Sequence, residues 1–353
     1  MKGFLKVLLI IFLVLVVLVG CVVGYAFFKL RLIDYDDGTL KETQSLYCEE
    51  EFHSPDATDP AGNDSEHPDP GVNIEGLQEM ETFPVIPDVE IQENDDIVNI
   101  LVLGTDSYDG TLTKYARSDA MILVSINKTE KTVKLVSLER GMGVLMLTGE
   151  KAGEYDLLTH AFRWGGPKLV CDCVENSLRV EVDHYVRVTF TTVRTVVDAI
   201  GGIDVELDED EAWAMSIEYP EITVGMNHLN GPQALSFARL RFIDSDWQRV
   251  ERQRKVILAA VNALKGASLG QLNNLLDQTL PLIQTNMSML EIADLMLYAP
   301  NFLASEFDQM TIPKQGTYGY KYGITGFAVD YPLNSQILRD FLYGTDESEA
   351  TEP

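Results

Sequence analysis

The sequence predicts a layered α/β domain in which helices flank a central mixed sheet. Two observations support this prediction: apolar runs of strand length recur along the chain, and helical patterns lie between several of them. The clearest strand is "IVNILVLG" (97–104), an apolar run closed by a glycine, as expected of a buried strand. The 353 residues are 46% hydrophobic, which is enough for one sizeable core.

The remaining elements follow in order along the chain. Strands are predicted in "DAMILVSIN", "TVKLVSL", "DHYVRVTF" and "IDVEL", and helices in "GGPKLVCDCVENSL" and "TTVRTVVDAIGG". We expect Asn230 to cap a short helix with Pro232 in its first turn, followed by a longer helix from about Asp246. We assign residues 97–344 to this domain and residues 345–353 to a disordered acidic tail.

The N-terminal region predicts a membrane anchor. Residues 7–28 form an uncharged run of 22 residues, which as a helix of about 33 Å would cross a bilayer. We therefore assign residues 1–33 to a cytoplasmic stub and a single transmembrane helix that contacts membrane lipid. "LVGC" (18–21) also resembles a lipoprotein processing box, which leaves lipidation of Cys21 as an alternative. Basic residues flank the span almost equally, so the extracytoplasmic location of the domain rests on the usual behaviour of large domains after one N-terminal anchor.

Residues 34–96 have the composition of a disordered linker. They contain 20 acidic residues and one lysine, in a chain whose formal net charge is −28. Such a segment buries too little apolar surface to fold, and about 60 flexible residues span on the order of 45 Å. We expect it to separate the domain from the membrane, with "FPVIPDVEI" (83–91) as the part that can dock on the domain edge. The acidity excludes nucleic acid as a partner, because duplex binding needs a broad basic face.

Five arginines nevertheless fall within residues 235–254. Arg239 and Arg241 share a face only if the preceding helix ends near Ala238, whereas Arg249, Arg252 and Gln253 have the spacing of one helical face. Bidentate guanidinium groups suit phosphate oxygens, so the set predicts an anion site. The alternative is an exposed helix with surface ion pairs such as Asp246–Arg249 and Glu251–Lys255.

Two carboxylates stand at the ends of predicted strands, where ligands bind in open α/β sheets. Asp106 follows the first strand and Asp119 precedes "AMILVSI". Together with substrate phosphates they would suit Mg²⁺. Arg117 and Arg140 add positive charge at strand ends.

The four cysteines give no metal pattern. Cys171 and Cys173 are two residues apart, which allows only a strained disulfide. We expect both to be reduced, semi-buried thiols.

From about Asn99 to Gly266, and more weakly to Gly344, the sequence resembles the LytR–CpsA–Psr family of bacterial cell envelopes. The resemblance rests on an ordered series of motifs: "NILVLGTDS", "RSDAMILVSIN", "SLERG", "AFRWGG", "DHYVRV", "VVDAIGGIDV", "LNGPQALSFARLR" and "DSDWQRVERQ". It implies a phosphotransferase that moves a phosphoglycosyl polymer from a polyprenyl-pyrophosphate carrier to peptidoglycan, with Mg²⁺ or Mn²⁺ as cofactor. It also assigns the site: Asp106 and Asp119 to the metal, Arg140, Arg241 and Arg249 to catalysis, and Arg117, Arg239, Arg252 and Gln253 to the pyrophosphate.

Two departures from the family pattern bear on the acceptor. The family usually has Pro-Arg-Asp where this chain has Glu139-Arg140-Gly141, and Lys-x-Asn where it has Leu157-Leu158-Thr159. The resemblance therefore assigns the metal and pyrophosphate residues but no base for the acceptor. These departures favour a second hypothesis, a non-catalytic regulatory protein that senses lipid-linked precursors, since family members have been described as transcriptional attenuators.

Overall fold

The computed structural model describes residues 25, 28–36, 86–105, 117–240, 246–304, 307–320 and 326–344. The acidic tail and most of the predicted anchor lie outside these residues, as do Asp106 and Arg241. Within the part of the chain that is described, no helix is both long and apolar enough to cross a membrane.

A seven-stranded mixed sheet forms the centre of the domain, as predicted. Its strands lie in the order β1-β10-β7-β2-β3-β4-β11. The strand β2 is parallel to β7 and antiparallel to β3, while β4 is antiparallel to β3 and parallel to β11. The sheet strands are β1 (Asp34–Tyr35), β2 (Ile97–Thr105), β3 (Ser118–Asn127), β4 (Thr132–Leu138), β7 (His184–Thr189), β10 (Gln284–Thr285) and β11 (Phe307–Ile312).

Three short hairpins and eight α-helices accompany the sheet in the described residues. The hairpins pair β5 (Gly143–Leu145) with β6 (Tyr155–Leu157), β8 (Ile203–Leu207) with β9 (Gly225–Leu229), and β12 (Tyr318–Gly319) with β13 (Ala328–Val329). The helices are α1 (Leu158–Leu178), α2 (Phe190–Ala199), α3 (Glu209–Ser216), α4 (Gly231–Arg239), α5 (Asp246–Lys265), α6 (Leu269–Thr279), α7 (Met289–Ala304) and α8 (Tyr331–Tyr343).

Helices cover both faces of the sheet. Leu101, Leu103 and Leu123 pack in one buried cluster with residues of α1 and α8. Ile100 and Ile122 belong to a second cluster on the opposite face, which α5 and α7 cover. This alternation along β2 and β3 is the pattern of strands buried on both sides. The domain therefore has three layers, with the sheet between two layers of helices.

A smaller unit lies beside these layers. It joins α2, the β8–β9 hairpin, α3 and α4 around its own buried cluster, to which Val256 of α5 also belongs. The predicted cap of α4 is confirmed: the Asn230 side chain accepts a hydrogen bond from the Gln233 N–H at 3.0 Å. The long helix α5 therefore links the small unit to the central sheet.

The first helix differs from the prediction. It begins at Leu158 rather than at Gly165, and its helical geometry breaks at Gly165 and Gly166. Gly166 has φ +66°, and a Cβ at Gly165 would come within 2.6 Å of the Leu169 side chain. The two glycines thus permit a kink in which two helical pieces pack closely. The sequence pattern revealed only the second piece.

Both ends of the predicted linker are ordered. The prediction of disorder is therefore wrong at residues 34–35, whereas order from residue 86 agrees with the expected docking of residues 83–91 on the domain. Residues 34–35 form β1 and pair with β10. At the other end, Gln92 bridges to Val180 and its side-chain carbonyl accepts a hydrogen bond from Arg339 at 2.7 Å. Long-range partners fix both ends, which composition alone does not reveal. The rest of the predicted linker lies outside the described residues.

Candidate active site

The candidate site lies at one edge of the sheet. The strands β7, β2, β4 and β11 all end at this edge, and the antiparallel strand β3 begins there. Thr105, the last residue of β2, is paired with Ser118, the first residue of β3. Asp106 itself is outside the described residues, but it directly follows Thr105 in the chain. The register therefore brings the two predicted metal-binding segments together.

Arg140 and Asp119 form an ion pair at this edge. An Arg140 Nη1 hydrogen is donated to Oδ1 of Asp119, with the two heavy atoms 3.1 Å apart. The Arg140 side chain is 2% exposed and that of Asp119 is 18% exposed. A pair shielded from water in this way is stronger than a surface ion pair, and removing one partner leaves a poorly solvated charge. Two residues that the resemblance assigned to different roles are thus in direct contact.

Glu139, which precedes Arg140, is fully buried. Its backbone N–H donates to the Ile312 carbonyl oxygen at 2.9 Å, which ties the end of β4 to the end of β11.

Arg239 reaches the same edge from the small unit. It is the last residue of α4, and its guanidinium carbon lies 4.4 Å from the centroid of the Phe190 ring, a cation–π contact. Phe190 opens α2 directly after β7 ends, so the contact holds Arg239 beside the carboxyl end of β7. The side chain is exposed, which leaves it accessible to an anion.

The arginines of α5 are buried, which contradicts the exposed-helix alternative. Arg249, Arg252 and Arg254 are 2%, 1% and 7% exposed. The predicted surface pair Glu251–Lys255 is also absent from the contacts of the described residues. Glu251 pairs instead with Arg254, and the Lys255 ammonium lies 3.0 Å from a Glu211 carboxylate oxygen. Three buried guanidinium groups on one helix need a structural or functional partner, because isolated buried charge is costly.

Arg252 holds the chain next to Arg241. Its Nη2 donates to the Leu240 carbonyl oxygen at 2.8 Å, and its Nη1 lies 3.8 Å from Oε1 of Glu211. These contacts fix the backbone immediately before Arg241, which is outside the described residues. The assignment of Arg252 to the pyrophosphate stays a prediction, as do those of Gln253 and Arg117, which are half-buried.

Arg254 is directed to the sheet instead. Its Nη1 donates to the Met310 carbonyl oxygen at 3.3 Å and to Thr311 Oγ1 at 3.2 Å, both on β11. Burial lowers the pKa of Arg254 below its ordinary value. This arginine anchors α5 on the sheet, which makes it a natural comparison for Arg249 on the same helix.

The described part of the site fits a divalent cation in composition. Nowhere among the described residues do three or more His, Cys, Asp or Glu side chains form a group that could hold a metal. Mg²⁺, however, usually takes one or two protein carboxylates and completes its shell with water and substrate phosphates. Asp119 supplies one partly accessible carboxylate beside an arginine, and Asp106 is the candidate for the second. The metal remains a proposal.

Sequence reasoning missed one buried arginine at the edge. Arg187 of β7 donates from Nε to Thr105 Oγ1 at 3.3 Å, and its guanidinium carbon lies 5.5 Å from the centroid of the Phe162 ring. It is therefore next to the residue that precedes Asp106. A single arginine in the strand "HYVRVT" did not stand out, because arginines in strands commonly face solvent. Only the position of this strand inside the central sheet could have indicated that Arg187 is buried.

Sequence reasoning also missed a polar network in the first turns of α1. His160 Nδ1 and Trp164 Nε1 lie 2.8 Å and 2.9 Å from the two carboxylate oxygens of Asp156. Burial raises the pKa of Asp156, but the hydrogen bonds from His160 and Trp164 and that from the Leu157 N–H outweigh it, so the pKa lies below the ordinary 3.8. The Thr159 N–H in turn donates to the Arg140 carbonyl oxygen at 3.1 Å. The network fixes the helix start that packs against Arg140.

The α/β domain thus carries several arginines and an Asp–Arg pair at one edge of its sheet, a composition that would suit an anionic ligand. The sequence model of the LytR_cpsA_psr family matches residues 72–339, and the chain belongs to that family. The predicted resemblance is thereby confirmed.

Curated relatives carry transferase names. A polyisoprenyl-teichoic acid–peptidoglycan teichoic acid transferase TagU of Enterococcus faecalis is 37% identical over 183 residues, 51% of this chain and 57% of the relative. TagT of Bacillus subtilis, with the same descriptive name, is 30% identical over 258 residues, 71% of this chain and 76% of the relative. The matches span 43–57% of the length of the first three curated relatives.

Solved structures share the fold. The crystal structure of B. subtilis TagT superimposes with a TM-score of 0.54 at 25% identity, covering 75% of this chain and 98% of TagT. TagT bound to LIIa-WTA gives 0.53 at 25% identity, covering 74% and 95%. Protein gbs0355 from Streptococcus agalactiae gives 0.59 at 25% identity, covering 71% and 89%.

Proposed function

We propose that this protein is a membrane-anchored, extracytoplasmic phosphotransferase. It moves a phosphoglycosyl polymer from a polyprenyl-pyrophosphate carrier to peptidoglycan. The observation that carries the proposal is the meeting of Asp119 and Arg140 at the edge of the sheet where the chain that precedes Asp106 and the Arg239–Phe190 contact also lie. The transferase names of the curated relatives support the same reaction class.

The arginines would bind the donor through its pyrophosphate. Guanidinium groups make paired, planar contacts with phosphate oxygens and stay charged at every physiological pH. Arg140 is already oriented by Asp119, and Arg239 by the Phe190 ring, so little reorganisation is needed when the donor arrives. The buried Arg249 would act in the same way from α5.

In the transfer step, an acceptor sugar hydroxyl attacks the phosphorus that carries the glycan. A new phosphorus–oxygen bond forms, the pyrophosphate bond breaks, polyprenyl phosphate leaves, and the hydroxyl proton passes to solvent water. The arginines stabilise the negative charge that builds up on the leaving phosphate. A bound Mg²⁺, held by Asp119 and Asp106, would neutralise further phosphate charge.

The second candidate is a binding protein that senses the same donor without transferring it. The departures at residues 139–141 and 157–159 favour this alternative, because they remove the acidic residue and the Lys-x-Asn pattern that the family usually has near the acceptor. Both candidates need the anion site. They differ only in whether product forms.

The test uses the full chain, purified and reconstituted in vesicles with Mg²⁺. A polyprenyl-pyrophosphate saccharide labelled in the glycan is mixed with peptidoglycan oligosaccharide, and transfer to the acceptor is measured over many turnovers. We expect labelled phosphodiester product in excess over enzyme. Donor binding with no product would reject the transferase and support the sensor.

A further inference from the structure

The residues that follow the predicted membrane span are part of the folded domain. Residues 28–30 are helical, and Leu30 and Ile33 are buried in a cluster with Leu280. Tyr35 packs against the same cluster, and residues 34–35 add the strand β1 to the sheet beside β10. The chain therefore enters the domain without a flexible spacer.

Polar contacts fasten the same segment to α6. The Lys29 ammonium pairs with the Asp277 carboxylate, and the Tyr25 hydroxyl donates to the Asn273 side-chain oxygen. Tyr25 and Phe28 both lie within the predicted span of residues 7–28, so the last turn of that span contacts the domain. Residues 7–24 still provide about 27 Å as a helix, which is close to the thickness of a bilayer core. A tyrosine at the end of a span is typical of the membrane interface.

Apolar side chains remain exposed on the flank of the domain that comprises residue 25, residues 28–36, α6 and α7. Phe28 is 62% exposed and Leu32, four residues later, is 37% exposed. On α7, Leu290 and Leu297 are 70% and 75% exposed. The other side of α7 packs on the cluster that contains Leu30, through its residues Met289, Ile292 and Ala293. Arg31, which precedes Leu32 in the chain, is exposed and can face lipid phosphates.

We propose that the flank formed by residue 25, residues 28–36, α6 and α7 rests on the surface of the phospholipid bilayer. The occupant follows from the chain itself: a span predicted to end at Phe28 leads directly into this flank, so lipid is the nearest apolar phase to it. The proposal rests on the membrane anchor in the proposed function. It replaces the predicted spacer, because both ends of the acidic segment between residues 36 and 86 are attached to the domain, at β1 and at the Gln92–Val180 bridge.

The consequence is a fixed height of the active site above the membrane. The predicted linker would be a flexible tether of about 45 Å, on which the domain could turn freely. A docked domain presents one edge of its sheet at a constant distance from lipid. A donor whose carrier stays in the bilayer would then meet the arginines in one orientation.

The test places a fluorophore on the flank of the full chain. In a Cys21→Ser, Cys48→Ser background, the environment-sensitive dye NBD is attached through Leu297→Cys, and in a matched control through Val224→Cys. Val224 is 61% exposed and lies just before β9, in the small unit. Cys171 and Cys173 are buried and do not compete for the label. Both proteins are reconstituted in phosphatidylcholine–phosphatidylglycerol vesicles that contain a lipid with a headgroup-level spin label.

Flotation and quenching together give the answer. We expect both proteins to float with the vesicles, and the dye at position 297 to be quenched at least twofold more than the dye at position 224. Flotation with equal quenching overturns the docked flank while the anchor stands. Failure to float overturns the anchor and the docked flank together. As a second arm, Ile33→Asp should reduce the quenching at position 297 without loss of flotation, because it disrupts the buried cluster; unchanged quenching in that folded variant also overturns the proposal.

Discussion

The guanidinium of Arg140 and the carboxylate of Asp119 are 3.1 Å apart, although 21 positions separate them in the sequence. The antiparallel pairing of β3 with β4 brings them together, because β3 begins at the edge where β4 ends. A residue proposed to bind phosphate is thereby oriented by a residue proposed to bind metal. The pair couples the two halves of the proposed site.

Arg140→Lys should reduce both stability and turnover. The lysine keeps the charge but loses the planar, paired donors, so we expect the free energy of unfolding to fall by about 1–3 kcal/mol and turnover to fall at least tenfold. Chemical denaturation and the transfer assay measure the two effects. A double-mutant cycle with Asp119→Asn isolates the interaction, and additive effects of the two substitutions on stability would contradict a coupled pair.

Mg²⁺ should bind the protein weakly without a phosphate ligand. The ion keeps most of its waters unless substrate oxygens complete its shell, so we expect calorimetric affinity to rise by at least tenfold when a soluble pyrophosphate analogue is added. Asp119→Ala should abolish this gain. Tight binding of Mg²⁺ to the ligand-free protein, unchanged by Asp119→Ala, would refute the metal assignment.

Some strands of the sheet could be predicted from the sequence and others could not. The strands β2, β3 and β4 were predicted well because burial on both faces makes each an apolar run, and β2 extends only one residue past the predicted Gly104. The two-residue strands β1 and β10 could not be predicted. Their pairing joins Asp34 to Gln284, and nothing in either short segment signals the other.

In the candidate site, too, some residues could be predicted from the sequence and others could not. Clustering in the sequence drew attention to the arginines of α5, and burial of Arg249 supports that emphasis. Arg187 escaped notice because its partners Thr105 and Phe162 come from two other elements. The Asp156–His160 contact has helical spacing, but a His and an Asp four residues apart are common on exposed helices and gave no reason to select them.

Asp156→Asn should destabilise the protein at neutral pH but not in acid. The pKa of Asp156 is lowered on folding, so its stabilising contribution is present above the unfolded pKa near 3.8 and is lost as the pH falls through the folded value. We expect a loss of about 2 kcal/mol at pH 7 that shrinks below about pH 4, measured by urea denaturation. Asp172→Asn, on the helix α1 that follows Asp156, is the control, since the pair of Asp172 with the exposed Lys168 should contribute about 0.5 kcal/mol or less. An equal loss for both variants would argue against the network.

Cys171 and Cys173 should resist modification in the folded protein. Both are buried and reduced, and burial raises the pKa of the Cys173 thiol to about 12, so almost no thiolate forms at pH 8. In a Cys21→Ser, Cys48→Ser background, we expect no reaction with a disulfide reagent until the chain is unfolded. Rapid labelling of two thiols in the native protein would show that this part of the core opens.

Arg249→Lys and Arg254→Lys, compared side by side, test the central claim that the buried Arg249 of α5 serves a pyrophosphate. Both substitutions keep the charge on the same helix, but the described contacts of Arg254 are with Glu251 and β11. Turnover of a polyprenyl-pyrophosphate saccharide with Mg²⁺ is measured for each, at a temperature well below both melting temperatures. We predict that Arg249→Lys loses about one to two decades of turnover, as expected for one lost charge-assisted contact of roughly 1.5–3 kcal/mol, while Arg254→Lys retains wild-type turnover. A folded Arg249→Lys variant with wild-type turnover would contradict the account.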